Sequence, residues 1–244
     1  MVFLPARFAA LWTKSWREAR AAFWGCFILT CLNSWLALDR LHDAVANGTV
    51  THPSTFDLYD GTIRVWAIAY AILGAGSLLW ERRLGGQDFT RILPVREFHV
   101  NLMRALVGVF IVVILSTVPG ECMNALHRFI FPDFVVPQAF SFVMLSLGLG
   151  IATYGMAMFA GSLMSNVWAG IAAGWILPTA ISGLLSLIPA TQPLAPMRLL
   201  RRYGANPPAP VEWPLLLTYA GAGILAMVLA SYQAERSILK KFRS

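Results

Sequence analysis

Charge is what this sequence has least of, and lysine is its rarest form. Only Lys14, Lys240 and Lys241 occur. None follows a glycine-rich loop, and a P-loop needs that lysine to reach the terminal phosphates, so nucleotide hydrolysis at such a site is excluded. Acidic residues are missing from the middle of every long apolar run, where an ion-coupled carrier keeps them despite their cost. Cysteine is scarce as well. Cys26, Cys31 and Cys122 form no CxxC pair, and the first two, inside an apolar run, read as small packing residues. His42, His52, His99 and His127 lie in connections or at run ends, which argues against haem held between facing imidazoles. The HExxH zinc-protease and GxSxG hydrolase patterns are absent. Glu81-Arg82 lacks the paired glutamates of a membrane-embedded prenyl-type protease. No constellation for catalysis is visible, so the chain reads as no enzyme by itself, with no cofactor or metal of its own.

What is plentiful is apolar surface. Of 244 residues 57% are hydrophobic and 13% charged, against roughly 45–50% and 25% in soluble proteins. The mean hydropathy of +0.63 points to lipid as the solvent. The net charge of +7 sits in short clusters at the ends of apolar runs. That placement suits membrane orientation and argues against nucleic acid as a partner.

The expected fold is an all-α membrane protein, one transmembrane domain over 1–244 with no inserted soluble domain and no internal repeat. Spans are expected at 21–38, 62–80, 102–120, 139–161, 168–188 and 213–234. No charged residue occurs from Phe134 to Met197, too long a stretch for one span of about 20 residues, and Ser162–Asn166 is its natural hinge. Trp24, Trp35, Trp66, Trp80, Trp168 and Trp213 fall near run ends, as an aromatic belt requires. Residues 4–20 are expected to form an N-terminal amphipathic interfacial helix. At about 100° per residue, Phe8, Leu11, Trp12, Trp16 and Ala19 share one face, opposite Arg7, Lys14, Arg17 and Glu18; the alternative is a simple extension of the first span. No cleavable signal is expected from this basic, amphipathic start. Outer residues 189–212 carry Pro189, Pro193, Pro196, Pro207, Pro208 and Pro210, a density expected to prevent a regular helix. Thirteen Lys and Arg fall on the side holding both termini and the connection after span two, against six opposite. That side is expected to be cytoplasmic.

The connection 81–101 is the most informative segment. It places Glu81, Arg82 and Arg83 at the membrane edge, breaks at Gly85-Gly86, makes a short turn with Phe89, Ile92 and Leu93 on one face, and stops at Pro94. Such a stiff, partly apolar knob suits docking into a groove on a soluble partner. Equally, it suits an ordinary positive-inside loop resting on headgroups.

The run Glu81-x-Arg83-x-Gly85-Gly86, then Phe89, then Ile92-Leu93-Pro94-Val95 resembles the E-x-(K/R)-x-x-G…LL…LP(V/I) signature of ABC-2 type permeases. The layout is similar too, with an amphipathic N-terminal segment around Trp12, Trp16, Arg17 and Glu18. The resemblance implies the membrane subunit of an ABC transporter in a bacterial inner membrane. ATP and magnesium would sit on a separate ATP-binding subunit, with a second permease chain, identical or related, completing the pathway. It assigns coupling to the ATPase subunit to Glu81, Arg83, Gly85, Gly86, Phe89, Leu93, Pro94 and Val95. Apolar walls and minimal outer loops favour export of a lipophilic or amphipathic substrate. Glu121, at the outer end of span three, is a candidate outer gate or a headgroup-level carboxylate. Gly170-x-x-x-Gly174 is a close-approach motif, for packing within the chain or for a dimer seam, and Pro178 should kink that span. The rival reading is a non-transporting membrane anchor or assembly factor that recruits a cytoplasmic protein through the same knob.

Overall fold

The computed structural model describes the whole chain except residues 1–2, 51–53, 85–95, 133–139, 206–208 and 242–244. Seven α-helices and one 3-10 turn make up the described regular structure: α1 (Phe3–Ala46), α2 (Thr55–Leu84), α3 (Glu97–Ile130), α4 (Phe140–Leu163), α5 (Val167–Leu187), the turn Gln192–Leu194, α6 (Pro196–Gly204) and α7 (Trp213–Lys241). All but α6 are long and apolar enough to cross a membrane, six in number. No strand occurs among the described residues.

Helix ends follow local chemistry. α1 stops at Gly48, whose φ of 70° is the left-handed conformation that glycine adopts without a Cβ clash. The Thr49 amide donates to the Ala44 carbonyl at 2.9 Å and the Gly48 amide to Val45 at 3.0 Å, the paired bonds that satisfy a helix's last carbonyls. Before α2, the Asp57 amide donates to Ser54 Oγ at 3.3 Å while the Ser54 amide donates to Asp57 Oδ2 at 3.0 Å. This reciprocal cap occupies two otherwise orphaned donors. The chain turns between α4 and α5 within the expected hinge, and Asn166 Oδ1 caps α5 by accepting from the Trp168 amide at 2.8 Å.

Two expectations change. Residues 4–20 are no separate interfacial helix: α1 runs unbroken for 44 residues, because Arg20-Ala21-Ala22-Phe23 offers nothing to interrupt it. Part of its aromatic face lies on protein, with Trp12 and Trp16 ring centroids 5.8 and 6.4 Å from Phe110 of α3, while Phe8 is exposed. The proline-rich segment 189–212 does contain a regular helix. Pro196 occupies the first turn of α6, where its missing amide costs no hydrogen bond, and no proline follows until Pro207. α6 buries Leu199, Leu200 and Tyr203 while Arg198, Arg201 and Arg202 stay exposed.

α2 and α4 form the centre, α4 packing on α2, α3, α5, α6 and α7. Within its apolar window α2 is 61% buried, whereas α5 is 11% buried; α5 is a peripheral helix whose outer face holds Trp168, Trp175 and Ile176. Lipid tails are as apolar as leucine, so helices in a bilayer gain little by hiding from them and depend on close van der Waals contact. α4 and α7 achieve it at Gly155 and Gly223. A Cβ on Gly155 would strike the Gly223 carbonyl, and one on Gly223 the Ile151 carbonyl. Hydroxyl contacts tie the other helices: Tyr70 Oη to Ser116 Oγ at 2.7 Å joins α2 to α3, and Asn33 Nδ2 donates to Thr62 Oγ1 at 3.0 Å to join α1 to α2.

The α4–α7 seam separates two neighbouring glycines. Gly223→Val is expected to destabilise the bundle by about 1–3 kcal/mol, the usual cost of overpacking. Gly221→Val, pointing into open space, is expected to be neutral. Thermal unfolding of both variants in detergent micelles checks this, and equal melting temperatures would rule out a backbone-to-backbone seam.

Candidate functional site

α3 carries one charge deep in its packed surface. Arg104 is 5% exposed, and a guanidinium in such a place persists only when other groups compensate it. Asn101, one turn earlier on the same helix, accepts from Arg104 Nη1 at 2.9 Å. Glu18 of α1 accepts from Arg104 Nε at 3.3 Å. Lys14, one turn before Glu18, lies 3.5 Å from the same carboxylate. Two cations thus share one anion, and the anion is the solvent-facing member, with its side chain 38% exposed. The ion pair links helices separated by 86 residues in sequence.

Above this pair lies a cavity of about 600 Å³ between α1, α2, α3 and α4, within the 300–1,000 Å³ typical of small-molecule sites. Its polar lining consists of Ser15, Glu18, Ser77, Arg104 and Tyr154; the remainder includes Ala19, Ala22, Ile72, Leu73, Val107 and Ile111. One wall depends on a missing side chain. A Cβ on Gly108 would fall inside the Tyr154 ring, so only glycine lets that ring lie against α3. The Tyr154 hydroxyl donates to the Arg104 carbonyl at 3.4 Å. The result is an apolar chamber with its charge gathered at one end.

The cavity belongs to the half of the bundle nearer the α2–α3 connection. Ser77 precedes Glu81 by about one turn and Arg104 follows Glu97 by about two turns at 3.6 residues per turn, so two of the cavity's walls run straight into that connection. Glu81 and Arg83 fall in the last turn of α2, with their side chains outside the described residues. Gly85, Gly86, Phe89, Leu93, Pro94 and Val95 also lie outside the described residues. The remaining expected residues are elsewhere. Glu121 is exposed on α3 and does not line the cavity. Gly174 faces the Ala157 Cβ of α4 at 3.1 Å from where its own would stand, and Gly170 faces Leu79 of α2; both contacts are within the chain. Pro178 lies inside α5.

At the opposite end of α1 and α3, His42 and His127 come together with ring centroids 5.8 Å apart, each beside Phe131 at 4.4 and 4.8 Å. Among the described residues, no group of three or more His, Cys, Asp or Glu is arranged to hold a metal ion.

Sequence reasoning placed Glu18 on the wet face of a surface helix and gave Arg104 no role. The available signal was Arg104 itself, the one charge inside the run Leu102–Gly120, preceded one turn earlier by Asn101. Its partner on α1 had no signal in the sequence.

Because Glu18 is partly solvated, the pair should contribute as a screened contact does. Glu18→Gln, Arg104→Gln and the double variant are expected to yield a coupling energy of about 1 kcal/mol in a double-mutant cycle. Arg104→Gln should be the costlier single change, since it disturbs the buried partner. Reversible unfolding in mixed micelles measures this, and a coupling near zero would mean that the contact does nothing to hold α1 on α3. No family model, no curated protein and no solved structure matches the chain, so its chemistry is read from its own residues.

Proposed function

We propose that this chain is the membrane permease subunit of an ATP-driven transporter of the ABC-2 type, an exporter of a lipophilic or amphipathic substrate. The observation that carries the reading is the continuity of α2 and α3 from the cavity walls into the 81–101 connection, whose residues resemble the coupling signature. A separate ATP-binding subunit docks on that connection and supplies ATP and magnesium, and a second permease chain completes the pathway. The membrane is a bacterial inner membrane, with both termini on the cytoplasmic face. This orientation is supported by the thirteen Lys and Arg on that side against six on the other.

In this reading the working stroke is a rigid one. Closure of the ATPase subunits displaces the connection, and the inner ends of α2 and α3 move with it. Arg104 then shifts relative to Glu18, which α1 holds. The cavity changes shape where its charge is concentrated, and a substrate held there is released toward a new opening. Binding thus couples to hydrolysis through helices that need only tilt, a shear of the kind packed helices support.

Glu81→Ala and Pro94→Gly are each expected to lower substrate-stimulated ATP hydrolysis by about tenfold, a coupling loss near 1.4 kcal/mol, with normal membrane insertion. Co-reconstitution with the ATP-binding subunit measures it. Undiminished hydrolysis in both variants would remove the coupling assignment, and a partner that binds without any ATP-dependent movement would favour the anchor reading.

A further inference from the structure

We infer that the cavity between α1 and α4 binds an uncharged lipophile that carries a hydrogen-bond donor, an alcohol or amide N–H on an apolar body. The donor is received by the hydroxyl oxygens of Ser77 and Tyr154, and the body lies along Leu73, Val107 and Ile111. The inference rests on the permease reading and deepens it, since this occupant would be the transported substrate.

Hydrogens already committed within the protein select the head. Ser77 Oγ donates to the Gly74 carbonyl of its own helix at 2.7 Å. Tyr154 Oη donates to the Arg104 carbonyl at 3.4 Å. A hydroxyl has one hydrogen and two acceptor lone pairs, so both side chains line the chamber as acceptors. The two hydroxyls also interact with each other and form one patch, Ser77 from α2 and Tyr154 from α4. An alcohol brings the hydrogen that this patch lacks, whereas an ether brings only further lone pairs. Ser15 of α1 adds a hydroxyl that turns to suit either partner. Discrimination therefore falls to Ser77 and Tyr154.

A charged head gains little here. Arg104 already donates to Glu18 at 3.3 Å and to Asn101 at 2.9 Å, so the charges of the lining are engaged with protein partners. A further charge would give up hydration that the alkyl walls do not return. The body has ample room. An apolar cavity of about 150 Å³ holds one benzene, and this one measures about 600 Å³, enough for a compact ring system or a medium-length alkyl chain. Ala21 of α1 belongs to the lining and is exposed, which opens the chamber beside α1.

The test uses the full chain in phosphatidylcholine nanodiscs without any ATPase subunit. A decanol analogue with a photoreactive diazirine at its tail labels the protein. Unlabelled decanol, decyl methyl ether and decyl sulfate then compete at matched mole fractions in the bilayer. Decanol is expected to displace the label about fivefold more effectively than the ether, the worth of one neutral hydrogen bond, and decyl sulfate should be weaker than decanol. Ser77→Ala should narrow that gap, and the double variant Ser77→Ala, Tyr154→Phe should close it. Both changes keep the packing, since the Ser77 bond lies within its own helix and phenylalanine retains the ring against Gly108. Ala22→Phe, which fills the chamber, should weaken all three competitors alike. Equal displacement by decanol and the ether overturns the inference. So does a preference that survives the double variant, labelling unaffected by Ala22→Phe, or decyl sulfate as the strongest competitor. Failure there leaves the Glu81 and Pro94 results untouched. Decanol that binds as expected but leaves hydrolysis by the assembled transporter unchanged counts against the permease reading instead.

Discussion

Everything in this bundle depends on how closely α4 approaches its neighbours. Lipid withholds the hydrophobic drive that packs soluble helices, so contact area must come from backbone meeting backbone. α4 supplies it with Gly155 against Gly223 of α7, Gly161 within 2.8 Å of the Ala75 Cα from where its Cβ would stand, and Ala157 between Gly74 and Gly174. At these seams small residues bring the backbones together. Toward α3 it presents a full aromatic ring, Tyr154, accommodated by Gly108. Further along, Gly150 of α4 comes close to Val112 and Ser116 of α3, so the ring acts as a spacer only near Arg104. α1, which packs chiefly on α2 and α3, does not fill the remaining space. The cavity opens beside this ring, where Tyr154 lies among its lining residues.

The length of α1 has a physical reason in the same region. A span of about 20 residues would suffice to cross the hydrocarbon, yet α1 has 44. The extra turns carry Glu18 to Arg104 and bring Trp12 and Trp16 onto Phe110. Arginine suits the place better than lysine, because its planar fork reaches Asn101 and Glu18 in different directions while its charge stays delocalised. The continuity of residues 4–20 with the first span is then a requirement of the site and not only of helix propensity.

The six helices long and apolar enough to cross a membrane were legible in the sequence because a bilayer imposes a length, and a run such as Trp213–Ala234 meets it without reference to any other residue. The hinge at Ser162–Asn166 was legible for a similar reason, since a charge-free stretch from Phe134 to Met197 has to turn somewhere. What could not be read was pairing. Glu18 carries the same amphipathic pattern whether its face meets headgroups or α3, and nothing local separates the two. α6 was missed because proline was weighed by density; position decides, and Pro196 sits where a helix begins. Gly108 and Tyr154 each look like ordinary residues of apolar runs. Their joint role exists only once two helices are placed side by side.

In the permease reading, the ion pair and the connection after α2 would be parts of one mechanical element. Seven residues of continuous helix join Glu97 to Arg104, a lever of about 10 Å, and α2 provides a shorter one of about 6 Å from Ser77 to Glu81. Helices transmit tilt with little loss over so short a span. A charge-assisted hydrogen bond weakens steeply once donor and acceptor separate beyond about 3.5 Å, and the Glu18–Arg104 contact already stands at 3.3 Å. A displacement of an ångström at α3 is therefore enough to release Arg104 from α1. Linkage makes the relation reciprocal: a ligand that prefers the released arrangement must bias the connection by the same free energy with which the connection biases the ligand. In the permease reading, a partner pressing on 81–101 and a ligand in the cavity would act on one equilibrium, with the Glu18–Arg104 contact as its coordinate.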